Sequence, residues 1–274
     1  DNGEFKGDAI STTSELVKIS SDGNLGLEEG QKFERGGIYR FTVDVTKGNT
    51  KAVLTVEKVG KVDLPAPDIF FGNDKMEVTD TDIYKSEQVF TQGQMITVTG
   101  IDNLNEWWID PDFFEKQSDG ALKFLPINGD YRVTANAVLK YFSVMALKDG
   151  KPAKLQDDGT GAIWAIGKGI GKPSVASSEV GWEPGKALCL AQVAPKKYQL
   201  TLKAGETLKT SGDPEVISFK FFHQNDWGGE FGNYANSILV EQLKLADSGN
   251  LEMQDNKAFE EGAVYRFTID VTNG

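Results

Sequence analysis

Residues 37–46 read GIYRFTVDVT, and residues 263–272 read AVYRFTIDVT. In the first stretch Tyr39, Phe41, Val43 and Val45 alternate with Arg40, Thr42, Asp44 and Thr46. Tyr265, Phe267, Ile269 and Val271 repeat the pattern in the second. A period of two with β-branched and aromatic residues on one side predicts a strand with one buried face.

The likeness extends outward from this strand. Residues 1–48 match 227–274 without a gap, with 21 identities in 48 positions, where chance gives about three. The chain therefore carries two copies of one structural unit. The second copy has an upstream half, about residues 160 to 226, with no counterpart before Asp1. The first copy runs on into TKAVLTVEKV, with no counterpart after Gly274. The expectation is a native polypeptide longer than these 274 residues, or a fragment of one.

Further strands are expected at 51–58, 94–100, 131–136, 139–147, 162–166, 186–193, 197–202 and 216–222. Turn chemistry separates them, as in SSDGNL, PINGD, LKDGKP and SGDPE. Long helical periodicity is missing. Short strands at this spacing predict an all-β chain of tandem immunoglobulin-like β-sandwiches. Proline, glycine and charge concentrate at 61–68 and 146–161. These linkers divide the chain into a partial module (1–63), a middle β domain (64–150) and a second module (151–274).

Composition narrows the function. The chain is 39% hydrophobic and 26% charged, a globular balance. A net charge of -12 repels phosphate backbones and anionic lipid, which argues against nucleic-acid binding and against docking on a membrane surface. The one cysteine, Cys189, lies in the apolar run KALCLAQV and reads as a buried hydrophobe. No run reaches the ~20 apolar residues of a membrane helix, and no signal peptide is evident.

Catalytic signals are weak. His223 is the only histidine, no G-x-S-x-G motif is present, and His/Cys metal ligands are lacking. IDNLNEWWIDPDFFE lacks the spacing of a calcium loop. With 41 acidic residues, a carboxylate pair can always be imagined and carries no information. GKGIGKP (167–173) is glycine-rich, but no helix pattern follows to bind phosphate. The expectation is a non-enzyme with no cofactor and no metal.

The tryptophans carry more. Trp164 lies in the strand AIWAIG, Trp182 in the turn EVGWEPG, and Trp227 in NDWGGEF. Trp107 and Trp108 are adjacent, so a strand there buries one and frees the other. Core packing is the ordinary fate of a tryptophan, but glycine-rich loops offer Trp182 and Trp227 little core. In the repeat Trp227 matches Asp1, whereas the aromatics Phe231, Phe259 and Tyr265 match Phe5, Phe33 and Tyr39. A position that tolerates Asp is not a core position, so Trp227 reads as a surface aromatic. An exposed indole stacks on the C–H face of a sugar ring, and planar polar groups take its hydroxyls. Lys220, Gln224, Asn225 and Asp226 lie close to Trp227 in sequence, and Lys168 and Lys172 lie on the glycine-rich stretch.

The order AIWAIG, glycine-rich loop, GWEPGKAL, KKYQLTLKAGETLK, FKFFHQNDWGGEF and final hairpin resembles the glycan-binding modules of SusE/SusF-type outer-membrane lipoproteins of polysaccharide-utilisation systems. Residues 1–60 resemble the back half of another such module. The stretch NEWWIDPDFFEKQSDGALKFLPINGDYRV resembles the middle β domains of the same lipoproteins. The resemblance implies carbohydrate-binding-module sandwiches that hold oligosaccharide or polysaccharide without cleaving it. It implies a surface-exposed outer-membrane protein, anchored by a lipid outside this chain, with transporter-complex subunits as partners. Its site residues, carried onto this sequence, are Trp182, Trp227 and Lys220, with Trp164, Lys168 and Asn225 beside them; none is implied in the first copy. Two rivals stand against this reading. One is a structural spacer, which buries Trp182 and Trp227. The other is a glycoside hydrolase accessory, which needs a carboxylate pair ~5–9.5 Å apart in a cleft.

Overall fold

The computed structural model describes residues 5, 8–62, 66–210, 216–231 and 241–272. The chain is all-β, with one single-turn α-helix and two 3-10 turns among the described residues. It divides into two compact units, Asp1–Ala66 and Pro67–Gly274. The expected boundary at 63/64 lies outside the described residues, and the one at 150 falls inside the larger unit.

In the smaller unit, strand β1 (Gly37–Asp44) pairs antiparallel with β2 (Ala52–Lys61). The other edge of β2 takes Ile10–Thr12 in parallel. Val17, Ala52 and Leu54 are buried between these strands and the hairpin Val17–Ile19/Leu25–Leu27. Phe33 packs edge-on against Tyr39 at 4.8 Å, and the Glu34 amide donates to the Tyr39 hydroxyl at 2.9 Å. The second copy repeats this corner: Phe259 meets Tyr265 at 4.5 Å, and the Glu260 amide donates to the Tyr265 hydroxyl at 3.0 Å.

The larger unit begins with a five-stranded antiparallel sheet built on Ile83–Phe90, Gly129–Asn136 and Tyr141–Lys148. Alternate residues of these strands pack over Phe71, Phe124 and Trp107, and Trp107 stacks on Phe142 at 4.6 Å. The C-terminal part is a two-sheet sandwich. One sheet centres on β3 (Trp164–Gly171). The other carries β4 (Lys197–Lys203). Strand β5 (Ser218–Phe222) pairs with β3, and β6 (Val264–Asp270) pairs with β4. Phe219 of β5 meets Phe267 of β6 edge-on at 5.8 Å, which fixes the inner face of both sheets.

The sequence places a strand at 162–166 and a loop at 167–173, whereas the strand runs on to Gly171. The glycines are the reason. Gly167 has φ 142°, and a Cβ there would stand 2.3 Å from Phe219 Cα. Glycine here permits close strand approach rather than a turn.

The middle strands and the sandwich share one hydrophobic core and one buried ion cluster. Lys172 Nζ reaches both oxygens of Asp110 at 2.8 Å and Asp112 Oδ2 at 3.0 Å. Asp112 also accepts from the Thr201 amide and hydroxyl, both at 2.6 Å, and from Gln199 at 2.8 Å. Burial pushes the Asp110 carboxyl up despite Lys172. Burial also acts to raise Asp112, but Lys172 and the Thr201 donors outweigh it and hold that carboxyl low. Lys172, at the end of the glycine-rich stretch, is thus a structural pin.

Candidate functional site

Strand β5 alternates. Phe219 and Phe221 meet edge-on at 5.7 Å and face the opposite sheet, so Lys220 and Phe222 point to the outer face. The chain then turns back. The His223 amide donates to Gly229 O at 2.7 Å, and the Phe231 amide to Phe221 O at 3.0 Å. This hairpin presents residues 224–228 at its tip. Gly228 and Gly229 hold φ of 77° and 71°, which the reversal requires. The Trp227 amide donates to Asp226 Oδ1 at 2.7 Å, and the Gln224 side chain donates to Trp227 O at 2.7 Å.

These contacts fix the backbone of Trp227 and leave the residue 50% exposed. One edge of the indole rests on Phe222, 6.1 Å away at 71°. Beside it lies Trp182, with ring centroids 6.4 Å apart and planes 26° apart. Trp182 arrives from another loop, between the strand Glu179–Gly181 and the 3-10 turn Pro184–Lys186, and is half-buried against the core. Residues 45 apart in sequence thus form one aromatic surface.

Polar groups lie on the same strands and hairpin. Lys220 is half-buried and passes Gly249 closely enough that a Cβ there would lie 3.6 Å from its Nζ. Among the described residues no carboxylate pairs with it. Lys168 is exposed on β3 opposite Ser218, diagonal to Lys220 on the same face. Asn225 has a buried Oδ1 with no hydrogen-bond partner. Glu179 accepts from the Gly169 amide at 2.8 Å and from Lys209 at 3.0 Å. Burial acts to raise its carboxyl, but these donors hold it low.

Trp164 does not belong to this surface. It is fully buried, and its indole N–H donates to Ala153 O at 3.0 Å. The structure does not bring it to the platform: it packs inside the larger unit and borders the cleft described below. Sequence reasoning missed Phe222 as the support beneath Trp227. It also missed Asn250, which donates to Ser218 Oγ at 3.0 Å on the same sheet. Phe222 was within reach, because strand parity places it with Lys220.

A second concavity lies where the middle strands meet the sandwich. It is a cleft of about 410 Å³ bordered by Trp108, Tyr141, Met145, Lys172 and Lys186. Lys172 Nζ stands 5.9 Å from the Trp108 ring centroid. Among the described residues no group of three or more His, Cys, Asp or Glu side chains is placed to hold a metal ion, and no helix is long and apolar enough to cross a membrane.

The fold and this surface define a β-sandwich protein with a two-tryptophan platform on its outer face. A family model for a domain of unknown function, DUF5121, matches residues 1–46 and 158–272, together more than half of the chain, and the chain belongs to that family. A second such model, DUF5125, matches residues 62–155. No curated protein matches the chain.

Proposed function

We propose that the chain is a non-catalytic glycan-binding protein whose platform is Trp182 and Trp227. The observation that carries this reading is the pair of indoles 6.4 Å apart, one of them half exposed at a hairpin tip. Two near-parallel rings on an open face suit a chain of sugars, whose C–H faces stack along them. Lys220 and Lys168 share the strand face of Phe222, and Asn225 lies on the Trp227 hairpin, so their amine and amide N–H groups are the donors this reading assigns to sugar hydroxyls. Each stacked sugar contributes on the order of 1 kcal/mol beyond area burial, so single-site affinity is weak and repeated modules raise it. The resemblance to SusE/SusF-type lipoproteins supports a place on the outer-membrane surface, beside transporter subunits that take up the captured glycan.

Affinity electrophoresis in gels cast with a panel of neutral polysaccharides tests this. The expected outcome is retardation on at least one polysaccharide, lost in Trp227→Ala. Retardation unchanged in both Trp227→Ala and Trp182→Ala moves the site elsewhere, with Trp108 as the next residue to replace. No retardation on any polysaccharide leaves the spacer reading.

A further inference from the structure

Strand β1 in the first copy and β6 in the second are the same sequence element, 226 positions apart. Their surroundings differ. Phe267 is 8% exposed and Phe259 2%, while their counterparts Phe41 and Phe33 are 48% and 39% exposed. Val43 and Val45 are also exposed. An apolar row that is core in one copy is open in the other.

The backbone agrees. Leu54 O accepts from Thr13 N, so Leu54 turns its polar groups toward Ile10–Thr12. By alternation Val53, Thr55 and Glu57 turn theirs toward β1, where they meet Asp44, Thr42 and Arg40. The N–H and C=O groups of Phe41 and Val43 therefore point away from β2. Among the described residues no strand pairs with that edge. In the second copy the Val271 amide donates to Lys196 O at 3.0 Å. Alternation puts Ile269 and Phe267 on that same edge, and β4 occupies it. Its register sets Tyr198 against Ile269, Leu200 against Phe267 and Leu202 against Tyr265. All three β4 side chains are fully buried.

We propose that the open edge and apolar face of β1 are a docking surface for the amino-terminal half of a DUF5121 module. The occupant is a polypeptide of the kind that residues 160–226 form. Its strand equivalent to β4 adds antiparallel to β1, with the Tyr198, Leu200 and Leu202 equivalents opposite Val43, Phe41 and Tyr39. Strand addition supplies main-chain hydrogen bonds, and alternate side chains set the register. The sheet then runs β4-equivalent, β1, β2 without an exposed hydrophobic edge.

The probe is a synthetic peptide with the sequence of residues 190–203, LAQVAPKKYQLTLK, added in excess to the full chain. Amide hydrogen exchange is read segment by segment. The expected result is exchange over 37–45 slowed by about tenfold or more, with no slowing by the Leu200→Asp peptide. A chain carrying Phe41→Asp should lose the effect while exchange over 52–61 stays at the wild-type rate, showing that the hairpin remains folded. Unchanged exchange over 37–45 at millimolar peptide overturns the proposal. So does slowing confined to 264–270, which means exchange into the second module. Protection of 37–45 without peptide, rising with chain concentration alongside a dimeric mass, also overturns it and assigns the surface to a second copy.

Discussion

Trp164 and Trp227 show how one residue type takes opposite roles. Trp164 is sealed on every side and hydrogen-bonded through its indole N–H. Replacing it with alanine leaves a large cavity, and such changes cost about 3–5 kcal/mol. Trp227 loses only the contacts of a half-exposed ring with Phe222 and Trp182, a loss of roughly 1 kcal/mol. In guanidinium titrations followed by circular dichroism, Trp164→Ala should lower the midpoint sharply and Trp227→Ala only slightly. Equal losses would make Trp227 a core residue and remove the platform.

At the scale of elements, the β1–β2 hairpin carries its own titratable latch. Glu34 lies between Lys58 and Lys61, and hydrogen bonds from the two amines hold its carboxyl down to about 2. Its folded pKa lies below the unfolded value, so its contribution is present above pH about 4.5 and is lost as pH falls toward 2. The pair is exposed, so the effect is small and salt-sensitive. Carbon-detected NMR should show Glu34 titrating near 2, and Lys58→Ala with Lys61→Ala should return it to the ordinary range. This hairpin is also where the sequence is most legible. Tyr39, Phe41 and Val43 alternate without interruption, and the repeat confirms the period. Legibility fails at Gly167, because glycine in a turn and glycine beneath a close strand look alike in sequence. It fails again at the platform. That Trp182 and Trp227 lie together depends on two loops meeting across the end of a sheet, which no local pattern encodes. Trp164 misled for the opposite reason: its strand was read correctly, but the cover over it comes from the middle strands.

At the scale of the molecule, the seam between the middle strands and the sandwich is a place where charge is sealed in. Lys172 is 8% exposed, Asp110 5% and Asp112 1%. Lys172→Met leaves two buried carboxylates without their cation, a change that costs about 3–5 kcal/mol. Thermal unfolding should show a clear drop in midpoint, with partial recovery at low pH as the carboxylates protonate. An unchanged midpoint would mean the seam is wet and the pin idle. The same seam also sets an order in time. Asp112 leaves the ribosome 91 residues before Lys203 closes β4 beside it. At 5–20 residues per second that is about 5–18 s. The middle strands are complete in sequence at Pro152, 20 residues before Lys172 and 47 before Gln199, and until those residues emerge the two carboxylates stay in water. The middle domain is born waiting, and the sandwich finishes both.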